Sequence, residues 1–146
     1  MPRDTASAPP VASHNFRVSI GSGSGKSALR LGFMRVEFPS FVLPGMKLAE
    51  PDAATPLLVL RRGWDGNSAL ADWWDQSRKN TRTRPRDVSV ELLAAAAAET
   101  TLRWDFSGCR PLALHYSALD AMQSAVLIES LSVAFDEVEL STPKAR

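Results

Sequence analysis

The residues that first suggest chemistry in this chain form a glycine-rich run, GSGSGKS, from Gly21 to Ser27. A phosphate-binding loop needs a glycine, four further residues and then Gly-Lys-Ser, so that backbone N–H groups surround the phosphates. Counting back from Gly25 places Ile20 at the first glycine position, and the alternation after Ser27 is typical of a strand where the motif needs a helix. The run is therefore predicted to be a flexible hairpin tip, with a nucleotide site as the minor alternative and no cofactor expected.

The other candidates for catalysis are isolated in the sequence. Cys109 has no second cysteine to pair with, although the adjacent Arg110 could lower the pKa of its thiol. His14 and His115 lie far apart in the sequence, and no carboxylate or serine lies at a spacing from either that would indicate a catalytic partner. We therefore expect an inert thiol, surface histidines, no metal site and no enzymatic activity. A lone cysteine also favours a reducing compartment such as the cytoplasm.

The composition is that of one ordinary domain. The chain has 146 residues, 45% of them hydrophobic, and its 17 basic and 16 acidic residues give a net charge of +1. This balance predicts neither sequence-specific nucleic-acid binding nor attraction to an acidic membrane. Basic residues cluster between Arg78 and Arg86, where a solvated loop is expected and a phosphate or partner site is the alternative. No secretory signal of the general type and no stable membrane insertion are expected.

Hydrophobic alternation predicts a mainly β chain. The expected strands lie at 15–20 and 29–36, paired as a hairpin, and at 57–62, 87–93, 102–106, near 111–115, and once or twice within 125–140. Phe38 to Leu43 is predicted to be an edge strand or bulge, and 44–56 a proline-bracketed loop. The alanine-rich stretch at 92–99 favours a helix by propensity. Its place between two strands predicts a hairpin connection instead.

One helix is predicted at 68–78. Leu70, Trp73 and Trp74 share a face because they are spaced i, i+3 and i+4, and Asn67 or Ser68 can cap the first turn. Tryptophans in such a pattern are more often core or interface anchors than a ligand cage.

Several segments, taken in order, carry a family resemblance: Asn15-Phe16-Arg17-Val18, Gly32-Phe33 with Val36, Leu60-Arg61-Arg62-Gly63, the helix with Leu70, Trp73 and Trp74, Arg86 to Leu93, Leu102-Arg103-Trp104, and Ala125 to Leu131 with Ile128 and Glu129. In these segments the chain resembles the tail tube proteins of contractile phages and phage-derived contractile injection systems. It is similar, more distantly, to the tube proteins of type VI secretion.

The resemblance implies a small β-barrel or sandwich of two antiparallel sheets with one flanking α-helix. This domain would span 14–141, between a flexible N-terminal arm at 1–13 and a C-terminal tail at 142–146. Six copies would form a ring, and stacked rings would form a tube with a central channel for cargo. The implied partners are further copies of the chain, a sheath protein, neighbouring tube proteins and the baseplate hub. The particle would assemble in the cytoplasm and could then be released.

The resemblance also implies contact surfaces. The loop after the second long strand would reach the neighbouring ring through Pro44, Gly45, Met46, Lys47, Leu48, Glu50 and Asp52. The turn and helix would supply subunit or sheath contacts through Trp64, Trp73, Trp74 and Arg78. The proline-rich loop lacks the family's usual charged stretch, so an adaptor ring joining the tube to the baseplate is the alternative. A monomeric binding module using the tryptophans and a nucleotide-binding protein are the other classes left open.

Overall fold

The alternating pattern becomes eight β-strands and one α-helix in the computed structural model, which describes residues 11–12, 14–21, 29–45, 56–94 and 99–143. In chain order the elements are β1 (Phe16–Ile20), β2 (Leu29–Leu31), β3 (Arg35–Glu37), β4 (Leu57–Gly63), α1 (Ala69–Lys79), β5 (Arg86–Leu93), β6 (Thr100–Tyr116), β7 (Ile128–Ala134) and β8 (Glu137–Ser141). The prediction of a mainly β chain with one flanking helix is confirmed.

The strands form one connected antiparallel sheet in the order β2-β1-β5-β6-β7-β4-β3, and β8 also pairs with β6. The first half of β6 lies between β5 and β8, where Trp104 is opposite both Val90 and Leu140. Its second half pairs with β7, where Leu114 is opposite Leu131. Among the described strands the order ends at β2 and β3 without joining them, so the sheet is not closed into a barrel. The barrel form of the prediction is wrong, and β6 connects what the sequence suggested were two sheets.

A single long strand replaces the two that were predicted at 102–106 and near 111–115. Gly108 takes a positive φ of 68°, and the register with β7 shifts between Pro111 and Ala113. The strand nevertheless continues, because it pairs with neighbouring strands on both sides of this irregularity. The Asp136 N–H also donates to the Ser107 carbonyl at 2.9 Å. Glycine and proline here mark a bend and not a strand end.

The predicted strand at 29–36 is two strands with different partners. β2 pairs with β1, as the predicted hairpin requires, with Leu29 opposite Ile20. β3 pairs instead with β4, with Val36 opposite Leu60, so the chain crosses between the two ends of the strand order at Gly32–Met34. Of the edge strand or bulge predicted at Phe38 to Leu43, the edge strand is wrong, because that segment is irregular.

One hydrophobic core draws on both halves of the sheet and on the helix. Its buried side chains are Val18, Ile20, Leu58, Leu60, Leu70, Trp73, Val88, Val90, Phe106, Cys109, Leu131 and Val133. Along β1 and β4 the buried side chains alternate with half-buried ones, as the period of a strand dictates. Because β1 and β5 bury the same cluster as β4 and β7, the open sheet folds over its own core.

The helix lies where the tryptophan spacing predicted it. It begins one residue later than expected, at Ala69, whose N–H donates to Asn67 Oδ1 at 2.9 Å. Ser68 occupies the N-cap position without capping the backbone; its hydroxyl donates to Asp72 Oδ2 at 2.9 Å. The helix therefore uses an Asn67 side-chain turn in place of a simple N-cap.

The alanine-rich stretch does connect a hairpin. Leu93 of β5 is opposite Thr100 of β6, and the Ala94 N–H donates to the Glu99 carbonyl at 2.8 Å. Residues 95–98 lie outside the described residues, as do most of the predicted N-terminal arm, the run at 22–27, the loop at 46–55 and residues 144–146.

Gly108 gives the fold a testable constraint. A Cβ there would overlap the Asp136 carboxylate, in addition to the strain of the positive φ. We expect Gly108→Ala to lower the free energy of unfolding by at least about 1–2 kcal/mol, measured by urea denaturation. Gly32→Ala is the matched control, because a Cβ at Gly32 would meet nothing within 4 Å. Equal stability of the two variants would contradict this view of the β6 bend.

Candidate functional site

A buried ion pair joins β4 to β7. The Arg62 Nη1 atom lies 3.0 Å from Glu129 Oε1, and both side chains are fully buried. The Tyr116 hydroxyl donates to Glu129 Oε2 at 2.8 Å. Burial, and then the neighbouring carboxylate, raise the pKa of Tyr116 to about 12. Tyr116 therefore stays a hydrogen-bond donor at neutral pH, and both oxygens of the buried carboxylate have partners.

The same arginine also orders the turn that leads into the helix. Arg62 Nη1 donates to the Asn67 carbonyl at 2.9 Å, and its Nη2 forms an ion pair with Asp65. The pKa of Asp65 is lowered, first by the hydrogen bond from the Asn67 N–H and then by Arg62. One side chain thus connects β4, β7 and the start of α1. In the sequence, Arg62 follows a run of apolar residues and Glu129 lies inside another. Both are signals of buried charges, but their pairing was not predicted.

A polar network covers the face of the β1-β5-β6 region that points away from the core. Arg17, Glu91 and Arg103 are opposite one another on three adjacent strands. Glu91 accepts from Arg17 Nε at 3.0 Å and from the Thr100 hydroxyl at 2.7 Å. The Arg17 bond holds the pKa of Glu91 below its ordinary value, against the effect of burial. Such cross-strand pairs fix the register of the sheet.

The predicted contact residues around the helix differ in exposure. Trp73 is only 1% exposed and packs in the core beneath the Arg86 guanidinium. Trp64 is 40% exposed, and Trp74 is half-buried with the exposed Arg78 lying 5.3 Å from its ring centre. A partner could therefore reach Trp64, Trp74 and Arg78, whereas Trp73 holds the helix on the sheet.

Aromatic contacts hold the segment that follows β3 against β6. The Phe38 ring lies 4.5 Å from the Trp104 ring, and the Phe41 ring lies 6.3 Å from that of Phe106. Beyond them Pro44 and Gly45 are exposed, with Gly45 at a positive φ of 83°. They are the start of the predicted inter-ring loop. The other residues predicted for that contact, Met46, Lys47, Leu48, Glu50 and Asp52, lie outside the described residues.

The candidates for catalysis do not come together. Cys109 is fully buried, and burial raises the pKa of its thiol to about 12, so it is not a nucleophile near neutral pH. His14 and His115 are exposed. The glycine-rich run leads into β2, a strand, whereas a phosphate-binding loop would lead into a helix.

The described residues offer neither a metal site nor a membrane-spanning helix. Within them, no three His, Cys, Asp or Glu side chains are grouped so that they could hold a metal ion. Their helix is also not long and apolar enough to cross a membrane.

Comparison with solved structures defines the class of fold. The chain is similar to a chain of the extracellular contractile injection system PVC sheath-tube complex in its extended state, with TM-score 0.73, 19% identity, and 92% of this chain and 93% of that chain covered. It is equally similar to a chain of the 6-fold symmetrised anti-feeding prophage baseplate, with TM-score 0.73, 20% identity, and 93% and 98% covered. Hcp1 from Flavobacterium johnsoniae is more distant, with TM-score 0.58, 12% identity, and 88% and 96% covered.

Sequence comparison assigns the family. The family model of the T4-like virus tail tube protein gp19 matches residues 45–139, and the chain belongs to that family. No curated protein sequence matches the chain. The resemblance predicted from the motifs is therefore confirmed: the chain is a member of the tail tube protein family, and its fold is similar to that of chains from contractile injection systems.

The buried ion pair gives a prediction about stability. We expect Arg62→Ala to lower the free energy of unfolding by about 3–5 kcal/mol, because it leaves the Glu129 charge buried without its partner. Arg78→Ala is the control, since it removes an exposed arginine from its ion pair with Asp75, and it should change stability little. Similar urea midpoints for the two variants would show that the buried pair does not hold β4 to β7.

The polar network gives a prediction about pH. The pKa of Glu91 is lowered in the folded chain, so its contribution to stability is present at neutral pH and is lost as pH falls through the folded pKa. We expect Glu91→Gln to cost about 1 kcal/mol or less at pH 7 and to lose less stability than the unmodified protein on acidification. If the stability of Glu91→Gln fell with pH in parallel with that of the unmodified protein, Glu91 would not contribute to this pH dependence.

Proposed function

We propose that this protein is the subunit of the inner tube of a contractile injection system or phage tail. Six copies form each ring, rings stack, and cargo passes through the central channel. The observation that carries the proposal is an open antiparallel sheet, ending at β2 and β3, in a chain of the tail tube family. The 6-fold symmetry of the similar baseplate structure supports the ring size.

The open sheet explains why assembly would stabilise the chain. Edge strands present unpaired backbone N–H and C=O groups, which promote aggregation unless something covers them. A ring with cyclic symmetry brings one edge of each copy to a different surface of the next and leaves no free end. The net charge of +1 also keeps repulsion small when many copies come together.

The role that we propose is structural and not enzymatic. The buried Cys109 thiol and the separated histidines offer no activated nucleophile, and the ion pairs described above join strands to one another. The proposed partners are further copies of the chain, a sheath protein, neighbouring tube proteins, the baseplate and cargo in the channel. The likeness to chains of a sheath-tube complex and of a baseplate supports these partners. Trp64, Trp74 and Arg78 are the exposed group that we propose for subunit or sheath contacts.

An adaptor ring between tube and baseplate is the second candidate. It is favoured by one observation, the equal similarity to the baseplate chain and to the sheath-tube chain. In either role we propose that the particle assembles in the cytoplasm and is then retained or released. A monomeric binding module and a nucleotide-binding protein are the remaining alternatives, and they predict no rings.

Negative-stain electron microscopy of the purified protein, alone and with the products of neighbouring genes, tests the proposal. A main tube subunit should give six-fold rings and hollow tubes of many rings. An adaptor should give single rings that extend only when a tube protein is added. Dispersed monomers under every condition would overturn both roles.

The predicted inter-ring loop has its own test. Replacing Met46, Lys47, Leu48, Glu50 and Asp52 together by serine should leave ring formation and the thermal unfolding curve intact, because the described core does not use these side chains. We expect the tubes to become several-fold shorter in micrographs. Glu99→Ser, at the exposed β5–β6 hairpin, is the control. Tubes of unchanged length would exclude this loop from the ring-to-ring contact.

A further inference from the structure

An aromatic cleft of about 610 Å³ opens between the two halves of the sheet. Six of the residues that line it matter here: His14, Phe16, Met34, Phe38, Leu92 and Trp104. Its volume lies within the range of about 300–1,000 Å³ that is usual for ligand pockets. The cleft is therefore large enough to take a short segment of polypeptide.

Two walls of different origin form the cleft. One wall is the end of the β1-β5-β6 region, where Leu92 is opposite both Phe16 and Leu102. The other wall includes the crossing segment and the residues after β3, from which Met34 and Phe38 remain 58% and 39% exposed. Large apolar side chains that face water in a concave site indicate a binding surface.

The N-terminal arm joins the sheet beside this cleft. The Asn15 carbonyl accepts from the Leu93 N–H at 2.9 Å, and the Asn15 side chain donates to the Ala94 carbonyl at 3.3 Å. These bonds fix the chain next to the end of β5, and the residue before them, His14, lines the cleft. The residues that precede His14 therefore begin beside the cleft.

The sequence of the arm suits an aromatic cleft. Ala8-Pro9-Pro10 is apolar and uncharged, and consecutive prolines favour the polyproline II conformation. Such segments bind grooves lined by aromatic side chains, because their extended backbone is already formed and little entropy is lost. Pro10 is four residues before His14, at most about 14 Å in extended chain. The segment can therefore reach the cleft of its own chain.

The other segments outside the described residues fit this position less well. Residues 22–28 follow Gly21, beyond the end of β1 that is farther from Phe16. The loop at 46–55 begins eight residues after Phe38 and carries Lys47, Glu50 and Asp52. Charged side chains do not enter an apolar cleft without partners. The arm is thus nearer in the chain and better matched in chemistry.

We propose that Ala8-Pro9-Pro10 docks in the aromatic cleft of its own chain, where it covers Met34 and Phe38. The occupant is a strap from the same molecule, and tethering gives it an effective concentration in the millimolar range. The inference does not depend on the proposed tube function, because a single subunit carries both the arm and the cleft.

An engineered disulfide tests the contact. Ala8→Cys, in the arm, is combined with Met34→Cys, in the cleft; Cys109 is fully buried and is left in place. With oxidised glutathione the double variant should form an intramolecular disulfide, seen as the loss of both engineered thiols in a monomer. Its rate should not change when the protein is diluted about ten-fold, because the two thiols belong to one chain.

The matched control is Ala8→Cys with Ser141→Cys. Ser141 lies in the same cross-strand row as Arg17, three strands away, on the face of the sheet opposite to the cleft. Three strand spacings are about 14 Å, and the six residues from Ala8 to His14 extend to about 20 Å, so an undocked arm would reach it. We expect this pair to cross-link about ten-fold more slowly, because docking concentrates the arm at the cleft.

The other outcomes would overturn the proposal. Equal rates for the two pairs would show that the arm samples both faces of the sheet. Dimers joined through Ala8→Cys and Met34→Cys, in place of cross-linked monomers, would show that the arm enters another copy. An unreactive pair would leave the cleft to residues 46–55 or to a partner.

The prolines have their own test in the Ala8→Cys, Met34→Cys variant. Replacing Pro9 and Pro10 by serine should slow the cross-link by about ten-fold or more, because the segment loses its preformed conformation and its apolar rings. Pro2→Ser, which removes a proline outside the proposed segment, is the control and should leave the rate unchanged. Equal rates for these two variants would overturn the proposal.

Discussion

The fold depends on one strand that serves two halves of a sheet. β6 pairs with β5 and β8 along its first half and with β7 along its second half. The glycine at 108 and the register shift at Pro111 let it bend between them. Because the strand does not break there, the two halves close over one core without a second sheet.

The Arg62–Glu129 pair holds the other half in register. Burying two charges is costly, and an apolar pair of similar volume is often as stable. The arrangement here adds hydrogen bonds from Tyr116 and to the Asn67 carbonyl, so one guanidinium links two strands to the start of the helix. Its consequence is geometric: the turn with Trp64 and the helix with Trp74 and Arg78 are oriented together, as the proposed subunit or sheath contact requires.

Most strands and the helix could be predicted because their pattern is local. Val88 and Val90 alternate with polar residues, and Leu70 and Trp73 repeat at helical spacing, so each segment reveals the face that it buries. The run at 29–36 was predicted as one strand because hydrophobic alternation does not show which strand will pair with it. Gly32–Met34 divides it between partners at the two ends of the strand order. The segment from Phe38 was predicted to be an edge strand because the sequence does not show the aromatic contact of Phe38 with Trp104, a residue distant in the chain.

The sequence by itself determined the class of fold and the family, since hydrophobic period and short motifs are carried by neighbouring residues. Only the tertiary structure decided that the sheet stays open, that Arg62 meets Glu129, and that Trp73 is buried whereas Trp64 is exposed. These features depend on contacts between residues far apart in the chain, and no local pattern records which distant side chain will be the partner.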